Sequence, residues 1–191
     1  MVEQGPYNDQ SLLQLDNDFW RFSLKVYDQE GVANECLELQ ERHGVNVNVL
    51  LFCAWIGTQA ITLDRKDIEA ATQIVLRWDA MVVRPLRIAR QEMKAHPDMA
   101  IVRPRVKALE LEAEQIEQAM LFAHARCIRS ADVHHGDAIA HNVNQYVAVA
   151  TNAVLSEAAA PCLIKTAWRK NRNPRWRSLL LLGWRESRRQ I

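Results

Sequence analysis

The sequence predicts an all-α protein, a compact single-domain bundle of six or seven helices that contains a long antiparallel helical hairpin. Three observations support this fold class. Of the 191 residues, 49% are hydrophobic and 25% are charged, which is the balance of a globular domain with a real core. Apolar residues recur at steps of three and four along most of the chain, the spacing of an amphipathic helix. Glycines and prolines stand between these stretches, where they suit helix ends.

The beginning of the chain predicts a flexible arm followed by short helices. Residues 1–15 are polar and contain one glycine and one proline, so we expect them to form the arm. Asn17 or Asp18 can cap the first helix through a side-chain oxygen. Three glycines can each end a helix in the left-handed conformation. They are Gly31, Gly44 and Gly57.

The segment Val47–Ile56 is the most apolar stretch of the chain and is interrupted by Asn48. We predict that it forms the buried central helix. A buried strand over residues 45–52 is the alternative, because short apolar runs suit both. The segment is shorter than the roughly 20 residues that cross a bilayer, and residues 1–6 lack the pattern of a secretory signal. We therefore expect a cytoplasmic protein.

The clearest periodicity lies in two predicted helices, over residues 104–129 and 136–157. The first carries an apolar seam with steps of three and four, consisting of Val106, Leu109, Ala113, Ile116, Met120, Ala123 and Cys127. The seam of the second consists of Ile139, Val143, Tyr146, Ala150 and Ala153. The polar side of the first helix would hold Glu110, Glu112, Glu114 and Glu117. Because a short turn joins two helices with matching seams, we expect them to pack as the antiparallel hairpin.

The charge is divided unevenly between the body and the end of the chain. Residues 163–191 carry a net charge of +8, which leaves −7 for residues 1–162. We therefore divide the chain into the arm (1–15), a helical domain (16–160) and a basic tail (161–191). The tail repeats a tryptophan–arginine pair every eight residues, as Trp168-Arg169, Trp176-Arg177 and Trp184-Arg185.

Three interpretations of the tail stay open. Indole rings and arginines together suit single-stranded nucleic acid, where the rings stack on bases and the cations meet phosphates. They also suit an anionic membrane, with the rings at the headgroup boundary. The third interpretation is structural, because a basic tail can fold back over an acidic body.

The chain also contains one group of potential metal ligands. His134, Asp137 and His141 have helical spacing and share one face, and imidazole with carboxylate suits zinc or iron. The alternative is that these residues form the solvated side of an amphipathic helix. The four cysteines lack the paired spacing of a zinc site or a disulfide framework, so we expect buried reduced thiols. We predict no cofactor.

A second candidate site is an aromatic pocket around a buried amide. Its residues would be Trp20, Tyr27, Asn48, Trp55 and Trp78, which could stack on a flat ligand. Aromatic side chains at helical spacing also suit the core. Asn48 needs hydrogen-bond partners if it is buried, and a neighbouring helix could supply them.

Several segments resemble a family that has no assigned activity. They are Asp18-Phe19-Trp20-Arg21-Phe22-Ser23-Leu24, Gly31-Val32, Cys36 to Gln40, and His43-Gly44-Val45-Asn46-Val47-Asn48-Val49-Leu50-Leu51-Phe52. Over residues 17–125 the chain resembles an uncharacterised proteobacterial family, a domain of unknown function. Asn46 stands where the family pattern leads us to expect aspartate. The resemblance implies a bacterial, helical, cytoplasmic protein and supplies no catalytic residue.

The sequence therefore favours a non-enzymatic interaction or adaptor protein. No common catalytic motif is present, and apolar seams also suit helical partners. We expect an unknown protein partner and consider a homo-oligomer. The alternatives are a small-molecule- or metal-dependent enzyme that uses the aromatic pocket or the histidine group, and binding of nucleic acid or an anionic membrane through residues 163–191.

Overall fold

The structure, a computed structural model, describes residues 13–128, 135–152 and 159–171. Its α-helices are α1 (Asp18–Tyr27), α2 (Val32–His43), α3 (Val47–Thr58), α4 (Arg65–Trp78), α5 (Arg84–Glu92), α6 (Arg103–His124), α7 (His135–Thr151) and α8 (Pro161–Asn171). A π-helical turn over Asp79–Val83 joins α4 to α5, and short 3-10 turns lie between α5 and α6. These residues contain helices and no strand, which confirms the all-α prediction. None of the described helices is long and apolar enough to cross a membrane.

The predicted caps are present in the structure. Asn17 accepts a hydrogen bond from the backbone N–H of Trp20, and Asn46 accepts one from Val49. Gly31 and Gly44 have positive φ angles of 82° and 66° at the two ends of α2. Gly57 is different, because it lies inside α3. The prediction that Gly57 ends a helix is therefore wrong.

Helix α3 is the centre of the fold, as predicted. Every residue from Asn48 to Thr58 is buried, and the alternative of a strand over this stretch is wrong. Helix α7 packs along α3 at very short range. A Cβ atom on Gly57 would lie only 2.5 Å from the Cα of Ile139. Glycine is therefore required at this position, because the backbones of the two helices nearly touch.

A buried amide fixes the connection that follows α3. Asn142 of α7 donates hydrogen bonds to the backbone oxygens of Ile61, at 2.8 Å, and Cys53, at 3.2 Å. Its side-chain oxygen accepts a hydrogen bond of 2.8 Å from the backbone N–H of Leu63. The bonds to Ile61 and Leu63 pair backbone groups between α3 and α4, which would otherwise be buried without partners, and the bond to Cys53 ties α7 to α3 itself.

The predicted hairpin of α6 and α7 is wrong. Helix α7 lies along α3, while α6 packs against α1, α3, α4 and α5. Helix α4 runs antiparallel to α6: the indole N–H of Trp78 donates to the backbone oxygen of Ala113 at 2.9 Å, and Asp67, near the other end of α4, acts electrostatically on His124. Periodicity identifies the residues that share a face, but it does not identify the helix that covers that face.

The seam predicted on α6 is only partly covered. Ala113 and Met120 are buried, whereas Val106 and Ile116 are half-buried and Cys127 is exposed. Leu109 is 52% exposed. On α7, Ile139, Val143 and Tyr146 are buried and Ala150 is exposed, while Ala153 lies outside the described residues.

The true hairpin is formed by α5 and α6. The two helices pack against each other and are joined by residues 93–102. No residue of α5 is buried. This hairpin therefore lacks the apolar core that holds α3 and α7 together.

Helix α8, which forms the first part of the predicted tail (161–191), packs against the helical domain. Leu163 and Ala167 are completely buried in the core. The carboxylate of Glu35 accepts hydrogen bonds of 3.0 and 2.9 Å from the backbone N–H groups of Cys162 and Leu163. A carboxylate is stabilising at the positive N-terminal end of a helix, so Glu35 anchors α8.

Candidate functional site

A row of glutamates on α6 lies inside the protein. Glu110 and Glu117 are buried and Glu114 is mostly buried, with 28% of its side chain exposed. Spacings of four and three place them on one face of the helix. The prediction that Glu110 and Glu117 face solvent is wrong. Arginines and amides from α5 and α3 supply the hydrogen bonds that make their burial possible.

Two arginines of α5 bind the first half of this row. Arg87 donates to Glu114 at 2.9 Å and to Glu110 at 3.3 Å. Arg90 meets both oxygens of Glu110, with one of the two contacts at 3.0 Å. Burial raises the pKa of Glu114, and the bond to Arg87 opposes that rise. This ionic cluster holds α5 on α6.

The second half of the row ends in a carboxylate bound only by neutral donors. Asn46 and Asn48 each donate a hydrogen bond of 2.7 Å to Glu117, one to each of its oxygens. Burial raises the pKa of Glu117 to about 7, although both amide hydrogen bonds lower it. Gln118 donates to the side-chain oxygen of Asn48 at 2.8 Å. The prediction that Asn48 bonds a neighbouring helix is confirmed.

The charged groups that act on Glu117 from the described residues are acidic. Asp79, in the π-helical turn, is buried and accepts a hydrogen bond of 2.6 Å from Arg84. The negative charges of Asp79 and Glu114 raise the pKa of Glu117 further. The hydroxyl of Tyr146 donates to the backbone oxygen of Asn46 and accepts from its N–H. Glu117 is thus a fully buried acid whose charged form is disfavoured.

The aromatic residues of the predicted pocket have different surroundings. Trp55 is buried among Phe19, Phe52 and Phe122, with ring centroids 5.4 to 6.1 Å apart. Its indole N–H has no hydrogen-bond partner within the described part of the chain. Trp78 bonds α6 as stated above. Trp20 and Tyr27 are half-buried on α1, and burial raises the pKa of Tyr27 beside the ionic cluster. The ligand pocket stays a prediction.

The potential metal ligands are described only in part. His134 lies outside the described residues, and the side chain of Asp137 is not described. His141 is exposed, with its Nε2 atom 3.3 Å from the backbone oxygen of Leu63. The side chains that the structure describes contain no group of three potential metal ligands. The metal site therefore stays a prediction.

The tail is described only as far as α8. Trp168 is 39% exposed and Arg169 is also exposed. The other two tryptophan–arginine pairs lie outside the described residues. They are Trp176, Arg177, Trp184 and Arg185.

Exposed apolar side chains concentrate around the α5–α6 hairpin. Eight of the twelve large apolar residues exposed on the described structure lie between residues 76 and 111, and Ile101 is the most exposed at 84%. Val102, Val106 and Leu109 have helical spacing and continue the line of Ala113 and Met120. We call these three residues the free seam. Single exposed apolar residues are common, but a contiguous group of them suits a binding surface.

Neither the ionic cluster nor the pair of asparagine hydrogen bonds to Glu117 was predicted from the sequence. The signal was present, because Arg87 and Arg90 have the spacing of one helix face, as do Glu110, Glu114 and Glu117. The residues were assigned to solvent because charged side chains are rarely buried unless they are paired. Complementary charge on two predicted helices could have suggested the pairing.

Comparison with known protein families gives one match. The family described as "Protein of unknown function (DUF2390)" matches residues 18–121, more than half of the chain. The resemblance predicted over residues 17–125 is confirmed. Neither the curated proteins nor the solved structures contain a match.

Proposed function

The chain belongs to the DUF2390 family of proteins of unknown function, and from that premise we propose that it is a non-enzymatic interaction protein. Its partner-binding surface is the free seam of α6, at the exposed end of the α5–α6 hairpin. The observation that supports this proposal is the exposure of Leu109 and Val102 on a seam whose residues Ala113 and Met120 are buried.

Helix α5 lies beside the free seam and does not cover it fully. The chain is helical without a break from α4 through the π-helical turn into α5, and α5 continues past Trp78 along the Glu110 side of α6. Leu109 and Val102 remain 52% and 46% exposed. An apolar seam gains free energy when another helix covers it, so a partner can bind here without disturbing the core.

The buried acids fit this proposal better than they fit catalysis. Glu117 is completely buried and both of its oxygens hold hydrogen bonds from asparagines. Glu110 and Glu114 are engaged by arginines. A general acid or base must reach a proton on its substrate, whereas these carboxylates hold helices together.

A matched pair of variants tests the proposal. Leu109→Glu places a charge in the free seam, and Leu37→Glu places one on α2, where Leu37 is 41% exposed. The tagged wild-type protein and both variants are used to isolate bound proteins from a lysate of the native cell. We expect at least one protein to be retained by the wild type and by Leu37→Glu but lost with Leu109→Glu. Identical sets of bound proteins, at unchanged melting temperature, would contradict the proposal.

Polyanion binding by the tail is a second candidate function. Lys165, Trp168 and Arg169 have helical spacing and are exposed on α8, which combines two cations with an indole ring. Fluorescence titration with a single-stranded RNA and with phosphatidylserine vesicles tests it. Lys165→Glu/Arg169→Glu should weaken binding, whereas Lys66→Glu on the exposed start of α4 should not.

A further inference from the structure

The free seam also indicates what kind of partner it accepts. Resting on the proposed function, we infer that the partner is an amphipathic α-helix with acidic residues beside its apolar face. This helix lies along Val102, Val106 and Leu109, beside α5. Its acidic residues lie at the Val102 end of the seam.

The shape of the seam favours a helix. The residues from Val102 to Ala113 span about 16 Å, or three helical turns. The seam continues into Ala113, where Trp78 bonds α6, and α5 lies along the Glu110 side of the same helix. A helix can pack along the side of the seam that α5 leaves exposed.

The charge beside the seam favours an acidic partner. The first two turns of α6 contain Arg103, Arg105 and Lys107 and no acidic residue. No side chain caps this helix start, so the positive end of the helix dipole adds to the charge of the three cations. Arg105 and Lys107 are exposed and form no ion pair with any described residue.

The charge of the surface also disfavours a second copy of the chain as the partner. A second copy of the chain would bring the same three cations to the surface, and like charges oppose that association. Farther along α6, Glu112 is exposed one turn beyond Leu109. The acidic residues of the partner therefore belong near Arg105, and a neutral or basic residue belongs near Glu112.

Selection from a library of displayed helical peptides tests this inference. The peptides share a fixed apolar face of leucine and isoleucine, and their flanking positions vary among glutamate, glutamine and lysine. The full-length protein is the target, and binders that also bind Leu109→Glu are removed. We expect glutamate to be enriched at one end of the peptides. The same selection against Arg105→Glu should shift that position toward lysine.

The expected change in affinity is modest. A glutamate-flanked peptide should bind Arg105→Glu roughly two- to fivefold more weakly than the wild type, because exposed ion pairs contribute little. The difference should shrink at high salt. Lys25→Glu on α1 is the control variant and should leave the affinity unchanged.

The outcomes separate the inference from the proposed function. One outcome is that native binding depends on Leu109 but peptides selected on the wild type and on Arg105→Glu prefer the same flanking residues. The proposed binding surface would then be supported, and the inference of an acidic partner would be wrong. If no peptide distinguishes the wild type from Leu109→Glu, the helical partner is wrong. Binding to phosphatidylserine vesicles that Leu109→Glu abolishes, without peptide binding, would replace the helix with an anionic membrane.

Discussion

Helices α3 and α7 meet at a glycine, whereas α5 and α6 are joined by arginine–glutamate pairs. At the first interface a Cβ atom on Gly57 would lie 2.5 Å from the backbone of Ile139, and the surrounding side chains are almost entirely apolar and buried. At the second interface Arg87 and Arg90 of α5 bind the carboxylates of Glu110 and Glu114, and α5 buries no residue.

This difference separates two tasks within one domain. Close apolar packing gives α3 and α7 a fixed relative position, because any added volume must displace backbone. Partly exposed ion pairs contribute little net stability, but they leave the apolar residues of the hairpin free for a partner. We therefore expect the first region to determine the stability of the domain, and the proposed function assigns the binding surface to the second.

Gly57→Ala should cause the largest loss of stability. The added methyl group meets the Cα of Ile139 at 2.5 Å and its backbone N at 2.7 Å, so α7 must move away from α3. We expect a loss of about 3 kcal/mol or more in the free energy of unfolding, although alanine favours a helix more than glycine does. Urea unfolding followed by circular dichroism measures the change.

Gly44→Ala is the matched control. Gly44 has a φ of +66°, and no atom lies within 4 Å of the added Cβ. The cost is therefore limited to backbone strain, about 1 kcal/mol. Equal losses in the two variants would show that α3 and α7 are not as closely packed as described.

Asn142→Ala should be the next most harmful change. It leaves the backbone N–H of Leu63 and the carbonyl of Ile61 buried without their partner, and it removes the bond that Asn142 donates to Cys53 within α3. Unpaired buried backbone groups cost about 1–3 kcal/mol each, and water entering the gap would reduce that cost, so we expect about 2–3 kcal/mol in total. Gln145→Ala, one turn along at a half-buried position, serves as the control and should cost less than 1 kcal/mol. A small effect at Asn142 would mean that other groups fix the α3–α4 connection.

Glu117 gives stability an unusual dependence on pH. In the folded protein its pKa is raised from 4.5 to about 7, so between these values the folded state holds a proton that the unfolded state has released. Stability from this group is therefore greatest below about pH 4.5 and falls as the pH rises to about 7. Glu117→Gln removes the ionisable group and should flatten this dependence, at the cost of one of the two hydrogen bonds from Asn46 and Asn48, because an NH2 group cannot accept.

The size of the effect follows from the shift in pKa. Between pH 5 and pH 8 we expect the wild type to lose on the order of 2 kcal/mol of stability relative to Glu117→Gln. Unfolding by urea at a series of pH values measures it. Glu112→Gln, on the exposed side of α6, is the control. Parallel pH profiles for wild type and Glu117→Gln would contradict the assignment of a raised pKa to this residue.

The sequence predicted the all-α class and the central helix, but not which helices pair. The apolar character of α3 was visible because nearly every one of its residues is hydrophobic. The partner of α6 was not visible, because the spacing of Ala113 and Met120 is the same whether α4 or α7 covers them. The close contact at Gly57 was hidden for a related reason, since a glycine in sequence suits a helix end as well as a close approach.

The candidate site was harder to predict because it depends on tertiary partners. Glu110 and Glu117 are buried only because Arg90, Asn46 and Asn48 come from distant parts of the chain to meet them. Local pattern places such residues on the solvent side. The free seam was visible as periodicity, but its exposure depends on which side of α6 is occupied by α4 and α5.

Arg90→Ala should cause the smallest loss in the free energy of unfolding of the domain. Its effect should be confined to the opening of α5. It removes the pairing of Arg90 with Glu110 while Arg87 remains. Because both arginine side chains are about one-fifth exposed, solvent reduces the cost to about 1 kcal/mol.

Hydrogen exchange should show faster opening of α5, with the amides of α3 and α7 protected as in the wild type, because the loss is confined to the hairpin. Arg42→Ala, which removes an exposed pair with Glu38 on α2, is the control and should leave the exchange of α5 unchanged. If Arg90→Ala instead accelerated exchange in α3 as much as in α5, the ionic hairpin and the glycine interface would form one cooperative unit, and the division between a stabilising region and a binding region would be wrong.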